Sequence, residues 1–246
     1  MAFTAQALVG SSFAAAVALD DYPIAGGQAG RYALAALVML CIGRFRLPRL
    51  TRADLAPLLG LTITGLAVFN WLMVKGVEIS DPASMGVIVG CVPVVLAILG
   101  PLQRGQRPRA GVVAAGIIVA TGAALVQWTG EAPALLGIVL ALLALACEAA
   151  FTLLAVPLLP RLGALGITQW ATMLVVPILL AWALLVEGPS AQRLPETSEL
   201  LALLWLTAGV TAIAFLCWYG AVHRIGADRA GLFSGVLPVS AAVLGA

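Results

Sequence analysis

Charged residues are scarce in this chain, at 10% of 246 positions, while hydrophobic residues make up 62%. Soluble globular domains carry about a quarter charged residues, so this composition excludes an ordinary soluble domain. The mean hydropathy of +1.09 and repeated apolar runs near the length of a membrane span indicate a multi-pass membrane protein. Short strands of alternating polarity are lacking, which predicts helical spans.

Residues that could hold a metal or carry nucleophilic catalysis are equally few. The four cysteines form no C-x-x-C pair, which argues against a metal site or a disulfide framework. His223, the single histidine, lies in a charged loop upstream of Ser234 and does not resemble the embedded dyad of an intramembrane protease. A phosphate-binding glycine-rich loop is also absent from the sequence, which argues against a pump with its own ATPase. We therefore expect neither an enzyme nor a cofactor.

Nine apolar spans alternate with short polar connections along the chain. We number them span 1 to span 9 and predict them at about residues 2–19, 24–43, 55–74, 83–102, 110–128, 134–156, 164–186, 200–222 and from 230 onward.

Lysine and arginine are distributed very unevenly over these connections. Lys75 and Arg193 lie on one side of the membrane and Arg31 within span 2, whereas the other ten lie on the opposite side. Those ten are Arg44, Arg46, Arg49, Arg52, Arg104, Arg107, Arg109, Arg161, Arg224 and Arg229. The side with few cations collects Asp20, Asp21, Glu78, Asp81, Glu131, Glu187, Glu196 and Glu199. The basic side is predicted to be cytoplasmic, with the N-terminus inside a bacterial cell and the chain in its cytoplasmic (inner) membrane.

The pattern G-x-x-x-G-x-x-P-V occurs twice, in span 4 and in span 9, at an offset of 145 residues. It comprises Gly86, Gly90 and Pro93 in the first copy and Gly231, Gly235 and Pro238 in the second. Glycines four apart let another backbone approach one helix face, and the proline kinks the helix or frees a carbonyl. Because spans 4 and 9 cross in opposite directions, the copies predict the inverted-topology repeat of secondary transporters.

Two repeats of five helices follow from this offset, in an all-α polytopic transmembrane bundle. The first unit is predicted at residues 1–128 with spans 1–5, and the second at 129–246 with spans 6–9. The sequence stops eight residues after Pro238, so we expect a tenth helix to be missing from it. Coincidence between two packing helices and a genuine nine-helix protein are the alternatives.

This arrangement resembles the EamA family of the drug/metabolite transporter superfamily. Three further stretches fit that family: 10–13 in span 1, 31–36 in span 2, and 111–122 after the second basic loop. The tryptophan that often precedes the glycine of span 1 is Val9 here. The resemblance implies export or uptake of small metabolites, such as amino acids or drug-like compounds, driven by ion gradients or exchange.

Two ionisable residues inside the spans are the leading candidates for contact with a substrate or coupling ion. A carboxylate at Glu148, well inside span 6, costs several kcal/mol unless it is paired, hydrated or protonated. Arg31, about two turns into span 2, is a candidate anchor for a substrate carboxylate. The alternatives are an interhelical hydrogen bond for Glu148, and an interfacial anchor or ion pair for Arg31. They lie at different depths, roughly 20 and 10 Å from the outer face, so no direct pair is expected.

Aromatic and amide side chains form a second group of candidates: Tyr32, Asn70, Trp71, Gln169, Trp218 and Tyr219. The stripe of Thr207, Thr211 and Ala214 on span 8 indicates that the face carrying Trp218 looks into the bundle. Inverted symmetry would place the pair at residues 70–71 and the pair at 218–219 at roughly equivalent positions in the two halves. An interfacial aromatic belt is the alternative.

The inverted repeat thus predicts a secondary active transporter that works by alternating access, and the resemblance to the EamA family implies that it exports small metabolites. Its site would lie near the midplane, with Pro93 and Pro238 as gating hinges or, alternatively, as static kinks. A channel or a structural membrane protein is the other class. The expected partners are a small-molecule substrate and the lipid bilayer, with no nucleic acid. The oligomeric state is left open, with a homodimer as one possibility.

Overall fold

Helices account for all regular structure in residues 1–12, 15, 18–19, 22–80, 82–127, 134–188 and 193–244, which the computed structural model describes. This confirms the predicted all-helical fold. The described residues include six helices long and apolar enough to cross a membrane, in spans 2, 3, 4, 6, 7 and 8, and a shorter apolar helix in span 5. The predicted repeat boundary at 128/129 lies outside the described residues, as do Asp20, Asp21, Asp81 and Glu131.

The α-helices divide among the spans in chain order. They are Ala2–Gly10 (span 1), Ile24–Ile42 (span 2), Arg52–Thr62 and Phe69–Ile79 (span 3), Pro82–Val89 and Val92–Gln103 (span 4), Ala110–Gln127 (span 5), Leu135–Leu153 (span 6), Leu159–Trp182 (span 7), Thr197–Trp205 and Ala214–Ile225 (span 8), and Ala227–Gly231 and Val236–Leu244 (span 9). Wider π-helical turns occupy Ile63–Val68, Ala183–Glu187 and Leu206–Ile213, and a 3₁₀ turn occupies Leu232–Gly235.

Spans from the first and second parts of the chain interleave in one bundle. Span 2 packs along span 7, span 3 along span 6, span 4 along span 9, and span 1 along spans 8 and 9. The largest cluster of buried apolar residues joins these spans and includes Leu61, Leu96, Ile167 and Tyr219. Small residues at the crossings allow this close approach, which in a membrane replaces the hydrophobic effect as the source of helix association.

The turn structure of spans 3 and 8 repeats at the offset of the proline motifs. Shifting the π-helical turn Ile63–Val68 by 145 residues gives 208–213, which falls inside Leu206–Ile213. The Thr62 hydroxyl donates to the Leu58 carbonyl at 2.7 Å, and the Thr207 hydroxyl donates to the Leu203 carbonyl at the same distance. The offset first seen in the sequence therefore recurs in the local backbone structure.

Connections that carry the predicted cytoplasmic arginines meet at one end of the bundle. Arg161 forms an ion pair with Asp54 and donates to the Arg49 carbonyl at 3.0 Å. At the same end Arg104 forms an ion pair with Asp228 at 3.0 Å. These contacts tie the connections after spans 2, 4, 6 and 8 together, and we call this the basic end.

At the opposite end, the start of span 2 contacts the connection between spans 7 and 8. The Glu187 carboxylate accepts the backbone N–H groups of Ala25 and Gly26 at 2.6 and 3.0 Å, at the positive end of the span 2 helix. Tyr22 donates to the Arg193 carbonyl at 2.9 Å. A hydrogen bond to Glu199 raises the pKa of the Arg193 guanidinium above its ordinary value. We call this the acidic end.

Candidate functional site

Both proline motifs interrupt their helices. The helix of span 4 stops at Val89 and resumes at Val92, next to Pro93. In span 9 the 3₁₀ turn Leu232–Gly235 precedes the helix that contains Pro238. Because proline has no N–H group, the carbonyl four residues before it loses its helical partner, and the backbone is weakened at that turn.

Spans 4 and 9 cross each other beside these breaks. A Cβ added at Gly231 would lie 3.0 Å from the Leu96 Cδ1, and one added at Gly100 would lie 3.2 Å from the Asp228 backbone nitrogen. Residue numbers rise along one helix as they fall along the other. The two motif helices therefore run antiparallel, as the predicted topology requires.

Span 5 closes over both breaks. A Cβ added at Gly116 would lie 3.2 Å from the Pro93 carbonyl carbon, and one added at Gly235 would lie 2.6 Å from the Val119 Cγ1. Glycine at these two positions is required by close approach. A change of backbone geometry at either break would therefore displace span 5.

Arg31 is buried between spans 2 and 8, with 8% of its surface exposed. Its Nε donates to the Thr211 hydroxyl at 3.0 Å, and its Nη1 donates to the Gln28 amide oxygen at 3.1 Å. Thr211 in turn donates to the Leu206 carbonyl, five residues back, in the π-helical turn. Among the described residues, the guanidinium forms no ion pair. In the described structure, the hydrogen bonds that the Arg31 guanidinium donates are therefore accepted by uncharged oxygen atoms alone.

Tyr32 and Tyr219 extend this contact toward the centre of the bundle. The Arg31 guanidinium lies 5.0 Å from the centre of the Tyr32 ring. The Tyr32 and Tyr219 side chains belong to the same buried core. Tyr219 is completely buried, and its hydroxyl has no hydrogen-bond partner among the described residues. Such an orphan hydroxyl is uncommon, because burying it unpaired costs free energy.

Span 6 meets the same aromatic side chains. The Trp218 indole donates to the Thr152 hydroxyl at 3.1 Å. The Phe151 ring lies 5.2 Å from both the Phe215 and the Tyr219 rings, measured between ring centres. Spans 2, 6 and 8 thus converge on one group of polar and aromatic side chains.

Glu148 lies on span 6 one turn before Thr152, and it is half-buried. Its carboxylate has no hydrogen-bond or ion-pair partner in the part of the chain that the structure describes. Ala141 and Ala144, seven and four residues earlier on the same face, are buried against Met85 of span 4. The face of Glu148 therefore looks into the bundle, and the residue shares no ion pair with Arg31.

We define the central cluster as Arg31, Tyr32, Thr152, Thr211, Trp218 and Tyr219, together with Glu148, which is included because helical spacing places it one turn from Thr152. It contains five of the eight residues that the sequence indicated for substrate contact or coupling. Thr152 and Thr211 enter it as hydrogen-bond partners, and their helical spacing from Glu148 and Thr207 is the signal that points to them.

Three of the indicated residues lie elsewhere. The Gln169 amide donates to the Met39 carbonyl at 3.0 Å and joins spans 2 and 7. The Asn70 amide donates to the Leu66 carbonyl of its own helix at 2.8 Å. Trp71 is 41% exposed and packs near Trp182, with ring centres 6.1 Å apart. The structure therefore does not bring Asn70 and Trp71 into the central cluster.

The model of the EamA-like transporter family matches residues 1–128 and 135–246. The chain belongs to this family. The uncharacterized transporter YetK of Bacillus subtilis (strain 168) is 27% identical over 251 residues, which cover 98% of this chain and 76% of YetK. The uncharacterized transporter YdeK of the same organism is 26% identical over 190 residues, which cover 76% of this chain and 65% of YdeK.

The helical bundle of this EamA-like transporter also matches a solved structure. One crystal structure superimposes with a TM-score of 0.79 and 22% sequence identity, over 99% of this chain and 85% of its own. At this identity the match speaks for the fold alone. Family membership, the transporter relatives and the apolar helices together identify a multi-pass membrane transporter.

Proposed function

We propose that this EamA-like transporter is a secondary active transporter that exports small metabolites, such as amino acids or drug-like compounds, by alternating access. The observation that carries the proposal is the buried Arg31 guanidinium, which has neutral partners alone among the described residues. A buried cation without a counter-ion is costly in a membrane. A substrate carboxylate would supply that counter-ion through charge-assisted hydrogen bonds.

Glu148 supplies the second element of the proposal. Its carboxylate lies inside span 6, without a partner in the described structure, one turn from the Thr152–Trp218 hydrogen bond. A carboxylic acid without a charged partner can bind and release a proton, and the access of water to the site sets the side of the membrane on which it does so. That property suits a proton-coupling group, which takes up its proton on one side of the membrane and releases it on the other.

Alternating access is supported by contacts at both ends of the bundle. Ion pairs of Arg161 and Arg104 join connections at the basic end, and Glu187 joins two spans at the acidic end. Between the ends, the breaks at Pro93 and Pro238 offer bending points. We infer that residues 1–128 and 129–246 are two inverted repeats that rock about these prolines.

The proposal places the chain in the cytoplasmic membrane of a bacterium, with the basic end and the N-terminus inside. The positive-inside rule supports this orientation. Export then corresponds to movement of the substrate from the basic end to the acidic end.

Solute counterflow in proteoliposomes tests the proposal. Vesicles are loaded with each standard amino acid in turn and diluted into a trace of the same radiolabelled compound. A secondary transporter produces transient accumulation of label, whereas a channel produces simple equilibration and a structural protein produces no flux. In a separate uptake assay without preloaded substrate, accumulation that an imposed pH gradient drives, and that is lost when the gradient is dissipated, would identify proton coupling. Equilibration without any overshoot, for every compound that permeates, would refute a transporter mechanism.

A further inference from the structure

A cavity of about 110 Å³ opens at the basic end, between the connections that follow spans 4 and 8. Its polar lining consists of Arg104, Gln106, Arg107, Arg109, Asp228 and Arg229. One water molecule needs about 10–15 Å³ of such space, so the cavity admits a group of several heavy atoms.

The charges around the cavity are strongly unbalanced. Four guanidinium groups face a single carboxylate, and that carboxylate, Asp228, is already paired with Arg104 at 3.0 Å. Arg107, Arg109 and Arg229 are exposed, and none has a side-chain partner in the part of the chain that the structure describes. Three guanidinium groups are therefore available to one anion.

The positive-inside rule accounts for the number of arginines at this end, but not for their convergence. Two connections, far apart in sequence, deliver their arginines to the same cavity. The helix of span 5 begins at Ala110, directly after Arg109, and its first N–H groups add positive potential there. By contrast, Arg44 and Arg46 of the connection after span 2 do not line the cavity.

We propose that this cavity binds a phosphate-bearing anion, either the headgroup of an anionic lipid or free phosphate. Guanidinium groups match phosphate oxygens in both charge and geometry. Basic pockets between helices at the membrane surface recognise anionic headgroups in this way. The apolar side chains of Pro101 and Ile225 complete the lining, and Ile225 is 39% exposed, which provides contact for the first part of an acyl chain.

Native mass spectrometry of the detergent-purified protein tests the proposal, with dioleoyl phosphatidylglycerol as the anionic lipid and phosphatidylcholine as the zwitterionic reference. We expect retention of phosphatidylglycerol over phosphatidylcholine, and a loss of affinity of about tenfold or more in Arg107→Gln/Arg109→Gln. The matched control, Arg44→Gln/Arg46→Gln, removes the same charge from the same end and should change retention little. Arg107→Gln/Arg229→Gln repeats the test with a second pair.

Inorganic phosphate distinguishes the two sources of the anion. A site for free phosphate is indicated if phosphate displaces phosphatidylglycerol from the wild-type protein but leaves the retention of lipid by Arg107→Gln/Arg109→Gln unchanged. A site for the lipid headgroup is indicated if phosphatidylglycerol stays bound to the wild-type protein in the presence of phosphate. Equal losses of phosphatidylglycerol affinity in the Arg107/Arg109 and Arg44/Arg46 variants would show an effect of general surface charge and overturn the proposal. A wild-type protein that binds neither phosphatidylglycerol nor phosphate would also overturn it.

Discussion

Asp54 and Glu199 occupy equivalent places 145 residues apart, at the starts of spans 3 and 8. The Asp54 carboxylate accepts the Thr51 backbone N–H, and the Glu199 carboxylate accepts the Glu196 backbone N–H, each at 2.6 Å and each from three residues earlier. The two are 6% and 7% exposed, and each forms an ion pair with an arginine. The same capping device thus starts both helices, one at the basic end and one at the acidic end.

Replacing Asp54 by alanine should destabilise the protein by about 1–2 kcal/mol, because the capping box loses its carboxylate and the Thr51 backbone N–H loses its acceptor. The ion pair should add little, since Arg161 is 44% exposed. Thermal unfolding in detergent measures the change. Glu78→Ala is the control, because both residues of the Glu78–Lys75 ion pair are exposed. A loss of stability in this control as large as that in Asp54→Ala would contradict the capping argument.

Glu148→Gln should abolish the flux that an imposed pH gradient drives while leaving the protein folded, because glutamine cannot carry the proton. Flux driven by a substrate gradient alone should persist. The measurement compares both fluxes in proteoliposomes with and without a pH gradient. Glu78→Gln removes an exposed carboxylate and should leave coupling unchanged, whereas unchanged coupling in Glu148→Gln would remove this residue from the mechanism.

Arg31→Ala should weaken substrate affinity by about ten- to a hundredfold, the range expected for a charge-assisted hydrogen bond. Arg31→Lys keeps the charge but loses the fork of donors, so its affinity should fall between those of the wild type and Arg31→Ala. Half-saturation of counterflow gives the affinities. Arg44→Ala serves as the exposed control, and equal affinity in all four proteins would make Arg31 a structural residue.

Tyr219→Phe should leave the thermal midpoint unchanged or raise it, because it removes a buried hydroxyl without a partner among the described residues. The same substitution should lower substrate affinity by about tenfold if that hydroxyl binds the substrate. Measuring both quantities separates the two roles. A lower midpoint with normal affinity would show that the hydroxyl has a structural partner instead.

Pro93→Ala should slow turnover by about tenfold with little effect on affinity, because the restored N–H stiffens a bending point. Pro238→Ala should act in the same way. Pro101→Ala is the matched control, since Pro101 lies within the continuous helix Val92–Gln103. Turnover rates are measured by stopped-flow counterflow. Rates equal to that of the wild type in all three variants would show that Pro93 and Pro238 are static kinks.

Much of this molecule was determined by its sequence alone. Hydrophobic runs fix where helices cross a membrane, because each run must cover the hydrocarbon thickness whatever its neighbours are. Arginine placement and the two proline motifs can likewise be recognised without knowing which helices are neighbours. The arginines predicted the topology, and the motifs predicted the repeat and the resemblance to the EamA family. Gly27 and Ala35 lie four residues to either side of Arg31, on the same helix face, and Arg31 is buried.

Tertiary structure decided which polar side chains meet. Arg31 donates to Thr211, which lies in the π-helical turn of span 8, whereas Gln169 donates to the Met39 carbonyl between spans 2 and 7. The sequence could not settle this, because helical spacing gives the face of a residue but not the neighbour across the interface. Within a lipid bilayer that neighbour is chosen by close packing and by the need to satisfy each polar group, and both depend on the whole bundle.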